Sequence, residues 1–270
     1  MKIVSWNIFR NNFGALSRSS KIILKQDPDV ICFQEFPANK LNLLERIYFN
    51  YNIFYGKDFF INENKKKNKY FYYNIIMVKK SLNVVKVDKI EHIRPLVKSD
   101  NYLKNSNFYL YFKKFTKFEN ESVFVDLLYK NKQIRIINSH FFAIAPPSVR
   151  INQFKEVLNF LLDNTILIGD FNTFGDLYNK KFISPLLKQF SGVYSKEDNS
   201  INDSFEIQKI SLKNGFENPF EKIRTFTYFS KKTQIDYILI PGNLKLVEKK
   251  ILIKNFTLSD HFCLFLEFSF

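Results

Sequence analysis

Six apolar runs in this chain of 270 residues end in, or open beside, an acid, an amide or an imidazole. Side chains of these types bind divalent cations and take up or release protons. One such residue beside a strand is more often a helix cap, a turn residue or a surface charge. Six occurrences, which include two of the three histidines of the chain, indicate a common site. The residues are Asn7, Glu35, His140, Asp170 with Asn172, Asp236, and Asp260 with His261.

Strands must position these residues, because each lies at or near an apolar run of strand length. In TILIGDFNTFGD the buried run Ile166 to Gly169 leads directly into Asp170 and Asn172. Periodicity and turn residues also predict strands at 2–8, 30–36, 70–80, 107–115, 122–129, 133–141, 225–229, 234–240, 246–253 and 262–269.

Apolar residues at helical spacing predict a smaller number of helices, at 15–26, 40–48, 147–163, 183–190 and 204–213. The strongest is 147–163, which has Pro147 in its first turn. Its apolar face comprises Val149, Phe154, Val157, Leu158, Leu161 and Leu162. Too few helices alternate with strands for a doubly wound parallel sheet. We therefore expect two β-sheets packed face to face, with helices on their outer faces and one domain over residues 1–270.

The composition favours a folded protein with a polyanionic partner. Hydrophobic residues make up 46% of the chain, which suffices for a sizeable core. Lys and Arg total 41 against 26 Asp and Glu, a formal charge of +15. This charge favours nucleic acid or an acidic membrane surface. The alternative is that an AT-rich genome raised the lysine count through codon usage alone.

The cysteines and the termini bear on the cellular compartment. Cys32 and Cys263 lie inside apolar runs, which predicts buried free thiols rather than a disulfide or a CxxC metal site. No apolar stretch approaches the ~18 residues that a spanning helix needs. The apolar run at the amino terminus is too short for a signal peptide. We therefore expect an intracellular, cytoplasmic protein.

The ordered motifs SWNI, CFQEF, NSHF, GDFN, QIDYILI and SDHF resemble those of the endonuclease/exonuclease/phosphatase superfamily, the deoxyribonuclease I-like metal-dependent phosphodiesterases. They run from residue 5 to residue 262, essentially the whole chain. The helix after NSHF carries Arg150 and Gln153 one turn apart, as is habitual in that family. The resemblance implies a four-layer α/β sandwich of two packed, mostly antiparallel sheets flanked by helices.

It also implies hydrolysis of a phosphodiester by in-line attack of water, assisted by a divalent cation. Such a site needs a hard cation, a group that positions or deprotonates water, and donors for the developing negative charge. Mg²⁺ or Mn²⁺ is the expected cofactor, since both take oxygen ligands. Glu35 matches the family's metal ligand. Asp260 and the amide oxygen of Asn7 complete the expected surroundings of the metal.

The proton transfers have two alternative assignments. Asp170 is one candidate for the base that activates water, with Asn172 holding the same water or a phosphate oxygen. The other is His261, oriented by the Asp236 carboxylate. His140 is expected to contact the phosphate or to protonate the leaving group. A histidine there resembles the deoxyribonuclease, sphingomyelinase and tyrosyl-DNA phosphodiesterase branches more than the abasic-site endonucleases.

Two further residues each have a functional and a structural interpretation. Asn74 either faces the substrate or occupies a β-bulge. Arg150 either faces the phosphate or braces the loop FFAIAPPS, and its position on a helix favours bracing.

The substrate is expected to be nucleic acid, with a lipid head group or inositol phosphate as the alternative. Clusters of basic and aromatic residues suit a phosphate backbone with stacked bases. One comprises Lys65, Lys66, Lys67 and Lys69; the other comprises Lys113, Lys114 and Lys117 among Phe108, Tyr109, Tyr111, Phe112 and Phe115. Core aromatics with solvated lysines are the favoured interpretation of the second cluster. A non-enzymatic binding protein is disfavoured, because every polar motif position is intact.

Overall fold

A computed structural model of the protein describes residues 1–8, 14–62, 69–92, 120–143, 145–173, 175, 197–226, 234–254 and 258–270. The strands in this part of the chain are β1 (Lys2–Asn7), β2 (Val30–Pro37), β3 (Tyr51–Asn62), β4 (Lys69–Lys79), β5 (Asn83–Glu91), β6 (Glu121–Tyr129), β7 (Lys132–His140), β8 (Thr165–Asp170), β9 (Phe216–Glu217), β10 (Asp236–Pro241), β11 (Lys245–Ile253) and β12 (Cys263–Ser269). The α-helices are α1 (Gly14–Leu24), α2 (Leu41–Ile47), α3 (Pro147–Leu158) and α4 (Asp203–Lys213), and short 3-10 segments span Ala38–Lys40 and Glu197–Ser200.

The strands form two six-stranded sheets. The order is β11-β12-β1-β2-β4-β3 in the first sheet and β5-β6-β7-β8-β10-β9 in the second. Each sheet has a single parallel pair, β1 with β2 and β7 with β8, and the other pairings are antiparallel. Parallel strands end on the same side of a sheet, and their antiparallel neighbours begin there. Strand ends of β1, β2, β7 and β8 therefore meet the starts of β10 and β12.

Three apolar clusters build the layers. One lies between the sheets and includes Val30, Val123 and Ile168. A second packs α1 and α2 against the outer face of the first sheet, and a third packs α3 and α4 against the second. This arrangement confirms the predicted four-layer sandwich with helices outside.

Most predicted elements lie within a few residues of the observed ones, but β3, β5 and the two-residue β9 were not predicted. All three are edge strands of their sheets. Most residues of β5 are exposed and polar, so β5 lacks the apolar run by which a buried strand is recognised. Several predictions fall outside the described residues. They are the strand at 107–115, the helix at 183–190, and the two lysine clusters except for Lys69.

One predicted element was too long, and another is only partly described. The helix predicted over 147–163 ends at Leu158, because the turn beginning at Asn159 closes it with hydrogen bonds to Glu156 and Val157 carbonyl oxygens. Leu161 and Leu162 of its predicted apolar face therefore lie in the turn before β8. In the range 225–229, Phe226 forms only an isolated bridge to His261, and residues 227–229 are not described.

The thiol prediction is confirmed, since Cys32 and Cys263 are both buried and free. Burial raises the pKa of both thiols above the usual range. Among the described helices, none has the length and apolar character that crossing a bilayer requires.

Candidate active site

The predicted site residues meet where the two parallel strand pairs end. Asn7 is the last residue of β1 and lies opposite Gln34 of β2. His140 ends β7 and lies opposite Asp170, which ends β8. Asp236 opens β10 and pairs with Asp170 from the other side. The parallel pairs thus bring together residues that are far apart in sequence.

His261 and Asp236 form one carboxylate–imidazole pair. His261 Nδ1 lies 3.0 Å and 3.1 Å from the two Asp236 carboxylate oxygens. Burial alone would lower the pKa of His261, but the carboxylates of Asp236 and Asp170 raise it to about 10. The backbone of His261 is held as well, because its carbonyl accepts a hydrogen bond from Trp6 Nε1 at 3.1 Å.

His140 and Asp58 form a second pair of the same kind. His140 Nδ1 lies 2.9 Å and 2.8 Å from the two Asp58 carboxylate oxygens. Burial again opposes protonation, and the Asp58 charge raises the pKa of His140 to about 10. In both pairs the carboxylate thus favours the protonated form of the imidazole.

Both imidazoles direct their second nitrogen at Asp170. His261 Nε2 lies 3.6 Å, and His140 Nε2 3.7 Å, from Asp170 Oδ2. That oxygen also accepts a hydrogen bond of 2.9 Å from Asn7 Nδ2. Burial raises the pKa of Asp170 to about 6, although the charge of His261 opposes the rise. A carboxylate in this pKa range suits general-base chemistry near neutral pH.

Glu35 owes its position to a β-bulge. The pairing of β2 with β4 shifts register between Phe33 and Phe36, and Glu35 there has φ +55°. Left-handed backbone at a non-glycine residue costs about 1–3 kcal/mol and persists only where its surroundings enforce it. The Glu35 N–H donates to Asp58 Oδ2 at 3.3 Å, and Asn7 Nδ2 reaches Glu35 Oε1 at 3.3 Å.

Glu35 and Asp260 provide a donor set that fits a hard divalent cation. Asp260 Oδ1 is buried and has no hydrogen-bond partner among the described residues. Burial raises the pKa of Asp260, and the Glu35 carboxylate adds to the rise although His261 opposes it. A cation near both carboxylates would satisfy this oxygen and offset their repulsion.

A second group of potential ligand atoms is less suitable. One atom each from Asp170, Asp236 and His261 lies within 4.8 Å of the other two. However, Asp236 and His261 are already hydrogen-bonded to each other, and a protonated imidazole cannot bind a metal. We therefore favour Glu35 and Asp260 as the carboxylates that hold the cation.

The other predicted residues are buried near this centre. Asn172, with φ +49°, donates its backbone N–H to Asp170 Oδ1 at 2.8 Å and its side chain to the Phe141 carbonyl at 2.8 Å. Asn74 donates to the Glu121 carbonyl at 2.9 Å. The substrate contact of Asn74 and the water contact of Asn172 stay predictions.

Arg150 has the contacts of the bracing alternative. Its guanidinium donates to Asp203 Oδ2 at 2.7 Å and to the Ala145 carbonyl at 2.6 Å. Arg150 and Asp203 are both fully buried, so this ion pair ties the loop after β7 to α4. A phosphate contact by Arg150 stays a prediction.

Asp58 was missed by the sequence analysis. It lies on β3, the unpredicted edge strand, where no apolar run ends on an acid. One sequence signal was available: Asp58 is an acid within the aromatic run NIFYGKDFF, two residues after Gly56. A search for an acid to partner His140 would have reached it.

Comparisons with known proteins agree with this geometry. The sequence model of the Endonuclease/Exonuclease/phosphatase family matches residues 4–261. No curated protein sequence matches the chain.

Several solved structures share the fold. Danio rerio TDP2 complexed with single strand DNA product has 14% identity and a TM-score of 0.63, covering 100% of this chain and 99% of that one. An endonuclease/exonuclease/phosphatase from Beutenbergia cavernae has 14% identity and a TM-score of 0.66, covering 99% and 71%. ANGEL2, a 2′,3′-cyclic phosphatase, has 17% identity and a TM-score of 0.58, covering 99% and 94%. At these identities the likeness concerns the fold.

Proposed function

The chain belongs to the endonuclease/exonuclease/phosphatase family, and on this premise we propose that it is a divalent-metal-dependent phosphodiesterase that hydrolyses nucleic acid. The observation that carries the proposal is the convergence of two carboxylate–imidazole pairs on Asp170 Oδ2, at 3.6 Å and 3.7 Å. Such a centre combines a carboxylate that can accept a proton with two cations that can stabilise phosphoryl oxygens.

Asp170 and the two histidines have separate roles in the proposed reaction. Asp170, with a pKa of about 6, orients the attacking water and accepts its proton, while the backbone N–H of Asn172 fixes the carboxylate. His261 is the alternative base, and its high pKa in this state makes it the weaker candidate. His140 and His261, both protonated, contact phosphoryl oxygens, and His140 donates a proton to the leaving oxygen.

Glu35 and Asp260 would hold Mg²⁺ or Mn²⁺, with the Asn7 amide oxygen nearby. When bound, the cation would supply Lewis-acid stabilisation of the charge that develops on the phosphoryl oxygens. Asp260 Oδ1 supports this assignment, because it is buried without a hydrogen-bond partner among the described residues and its contact with His261 Nε2 is 3.7 Å long.

A nucleic-acid substrate is favoured by charge and by fold. A net charge of +15 suits a polyanion. The similar fold of Danio rerio TDP2, which was solved with a single strand DNA product, points the same way. We place the protein among nucleases and DNA-end-processing phosphodiesterases and expect it to act within the cell as a single domain.

A phosphatase is the second candidate, because ANGEL2 has a similar fold and is a 2′,3′-cyclic phosphatase. Both candidates attack phosphorus with water. They differ in substrate, because the first hydrolyses a phosphodiester within a strand or at a DNA end, and the second hydrolyses a 2′,3′-cyclic phosphate.

A substrate panel tests the proposal. Plasmid DNA, single-stranded DNA, RNA, RNA with a 2′,3′-cyclic phosphate end, a 5′-phosphotyrosyl oligonucleotide and sphingomyelin are each incubated with Mg²⁺ and with EDTA. We expect turnover of at least one nucleic-acid substrate that EDTA abolishes. Cleavage that survives EDTA would overturn the metal assignment. Turnover of sphingomyelin alone would overturn the nucleic-acid assignment and favour the lipid alternative.

A further inference from the structure

The Asp58–His140 pair is held in place by a third side chain, Asn120, which lies directly before β6. Asn120 Nδ2 donates to the His140 carbonyl oxygen at 2.8 Å. The same nitrogen lies 3.3 Å from the Asp58 carbonyl oxygen and 3.4 Å from Asp58 Oδ1. One amide nitrogen therefore links the backbone of the imidazole residue to the residue that supplies its carboxylate.

The direction of the Asn120 amide is fixed by Gln153 of α3. Gln153 Nε2 donates to Asn120 Oδ1 at 3.2 Å, while Gln153 Oε1 accepts the Phe142 N–H at 3.1 Å. With its oxygen engaged in this way, Asn120 can present only its nitrogen to Asp58 and His140. Gln153 and Asn120 are both buried, at 1% and 5% exposure, so water cannot readily replace either bond.

The Asp236–His261 pair is supported differently. The Asp236 N–H donates to Thr225 Oγ1 at 3.0 Å, and the His261 N–H donates to Ser259 Oγ at 3.0 Å. Asp236 is also fixed by its register with Asp170 on the neighbouring strand. Neither Asn120 nor Gln153 has a hydrogen bond to this pair among the described contacts. The second pair is therefore an internal control for the first.

We infer that Asn120 is a positioning residue for His140, and that Gln153 sets the direction in which the Asn120 amide acts. Asn120 bonds the imidazole residue and its carboxylate partner at once, so its loss frees Asp58 to move away from His140 Nδ1. The contact between Asp58 and His140 Nδ1 sets the orientation of the ring, and thereby directs Nε2 towards Glu35 and Asp170. Only the kinetic consequence of this inference rests on the proposed function.

The direct test is a proton NMR measurement of the Nδ1–H signals of His140 and His261; His92, whose Nδ1 lies 2.9 Å from Glu156 Oε2, is a third histidine beside a carboxylate. A proton shared with a carboxylate resonates far downfield, and the variants His140→Gln and His261→Gln assign the two signals. In Asn120→Ala we expect the His140 signal to move upfield or broaden, and the His261 signal to stay in place. Asn164→Ala is the matched control, because its amide bonds the Gln133 carbonyl at the opposite end of β7.

Gln153→Glu tests the same inference from the other side and covers the case in which Asn120→Ala fails to fold. The new carboxylate can still accept the Phe142 N–H, but its second oxygen would face Asn120 Oδ1. When the new carboxylate is ionised, the Asn120 amide must flip and present its oxygen to Asp58. We expect the same selective change in the His140 signal.

The kinetic readout separates positioning from general destabilisation. Asn120→Ala should lower kcat by about 10–100-fold and leave KM nearly unchanged, since a residue of this kind acts through its partner and does not touch substrate. Unchanged His140 signals in both variants, or equal shifts of both histidines, would overturn the inference. Absence of turnover by the wild-type protein would count against the proposed function only, and the NMR comparison would still decide the role of Asn120.

Discussion

Each carboxylate–imidazole pair joins the two sheets, but the sheet that supplies the acid differs between the two pairs. In one pair, Asp58 comes from the first sheet and His140 from the second; in the other, Asp236 comes from the second sheet and His261 precedes a strand of the first. Both reach Asp170 Oδ2 at nearly equal distances.

What differs is how each acid is held. Asp236 is paired in register with Asp170 itself, so strand pairing holds it, and its N–H donates to Thr225 Oγ1. Asp58 lies on an edge strand where the register with β4 shifts between Lys57 and Phe60, and side chains must fix it. The same chemical unit can therefore rest on strand register or on a side-chain network, and the second support is the easier one to break by substitution.

Apart from Asp170, the largest expected effect comes from Glu35, a carboxylate that belongs to neither pair. Glu35→Gln removes a charge from the proposed metal site and leaves both imidazoles with their acids. We expect activity at a fixed Mg²⁺ concentration to fall by about 100-fold, with partial recovery at higher Mg²⁺. Steady-state rates over a Mg²⁺ titration measure this, with Glu91→Gln on the exposed face of β5 as the control. A loss that Mg²⁺ cannot reduce would argue that Glu35 acts otherwise.

Separate substitution of the two acids tests whether both pairs serve the same step. Asp58→Asn and Asp236→Asn should each lower kcat by about 10–100-fold, because each leaves an imidazole without its orienting charge. Because both pairs act on one carboxylate, the double variant should lose less than the product of the single losses. The rates of the wild-type protein and the three variants form a double-mutant cycle, and strictly multiplicative losses would mean that the pairs act independently.

Gly169→Ala tests the close approach of β7 and β8 next to His140. Gly169 has φ +142°, and a Cβ there would lie 1.8 Å from the carbonyl oxygen of Ser139, the residue before His140. We expect a loss of about 2 kcal/mol or more in the free energy of unfolding, from strained backbone and overpacking. Urea unfolding measures it. Wild-type stability in this variant would show that β7 and β8 need not approach so closely.

The last expected effect is a slope, the pH dependence of stability. His140 and His261 have pKa values raised to about 10 in the folded state, above the ~6.5 of an unfolded histidine. The folded state then holds the extra protons, so the free energy of unfolding falls as the pH rises from about 7 to about 10. His140→Gln and His261→Gln should each reduce this slope, by at most ~1.4 kcal/mol per pH unit. Equal slopes in all three proteins would contradict the raised pKa values.

The sequence predicted the parts of the site that strand register supplies. Asn7, His140, Asp170 and Asp236 each end or open a strand, and the topology of parallel and antiparallel neighbours brings such positions together. Asp58 and Asn120 could not be predicted in this way, because their contacts depend on the packing of one sheet edge against the other sheet. The helix α3 was overextended for a related reason: Leu161 and Leu162 continue the apolar spacing, while the turn at Asn159 ends the helix.

The central claim is that Asp170 is the point at which both pairs act on the phosphodiester. The most direct test is single-turnover hydrolysis of the preferred nucleic-acid substrate by the wild-type protein and by Asp170→Asn, each with Mg²⁺ and with EDTA. Asp163→Asn, in the exposed turn before β8, is the control for charge and folding. We predict a loss of about 10³-fold in Asp170→Asn, full activity in the control, and no hydrolysis by any protein in EDTA. Undiminished hydrolysis by Asp170→Asn with Mg²⁺ would contradict the account.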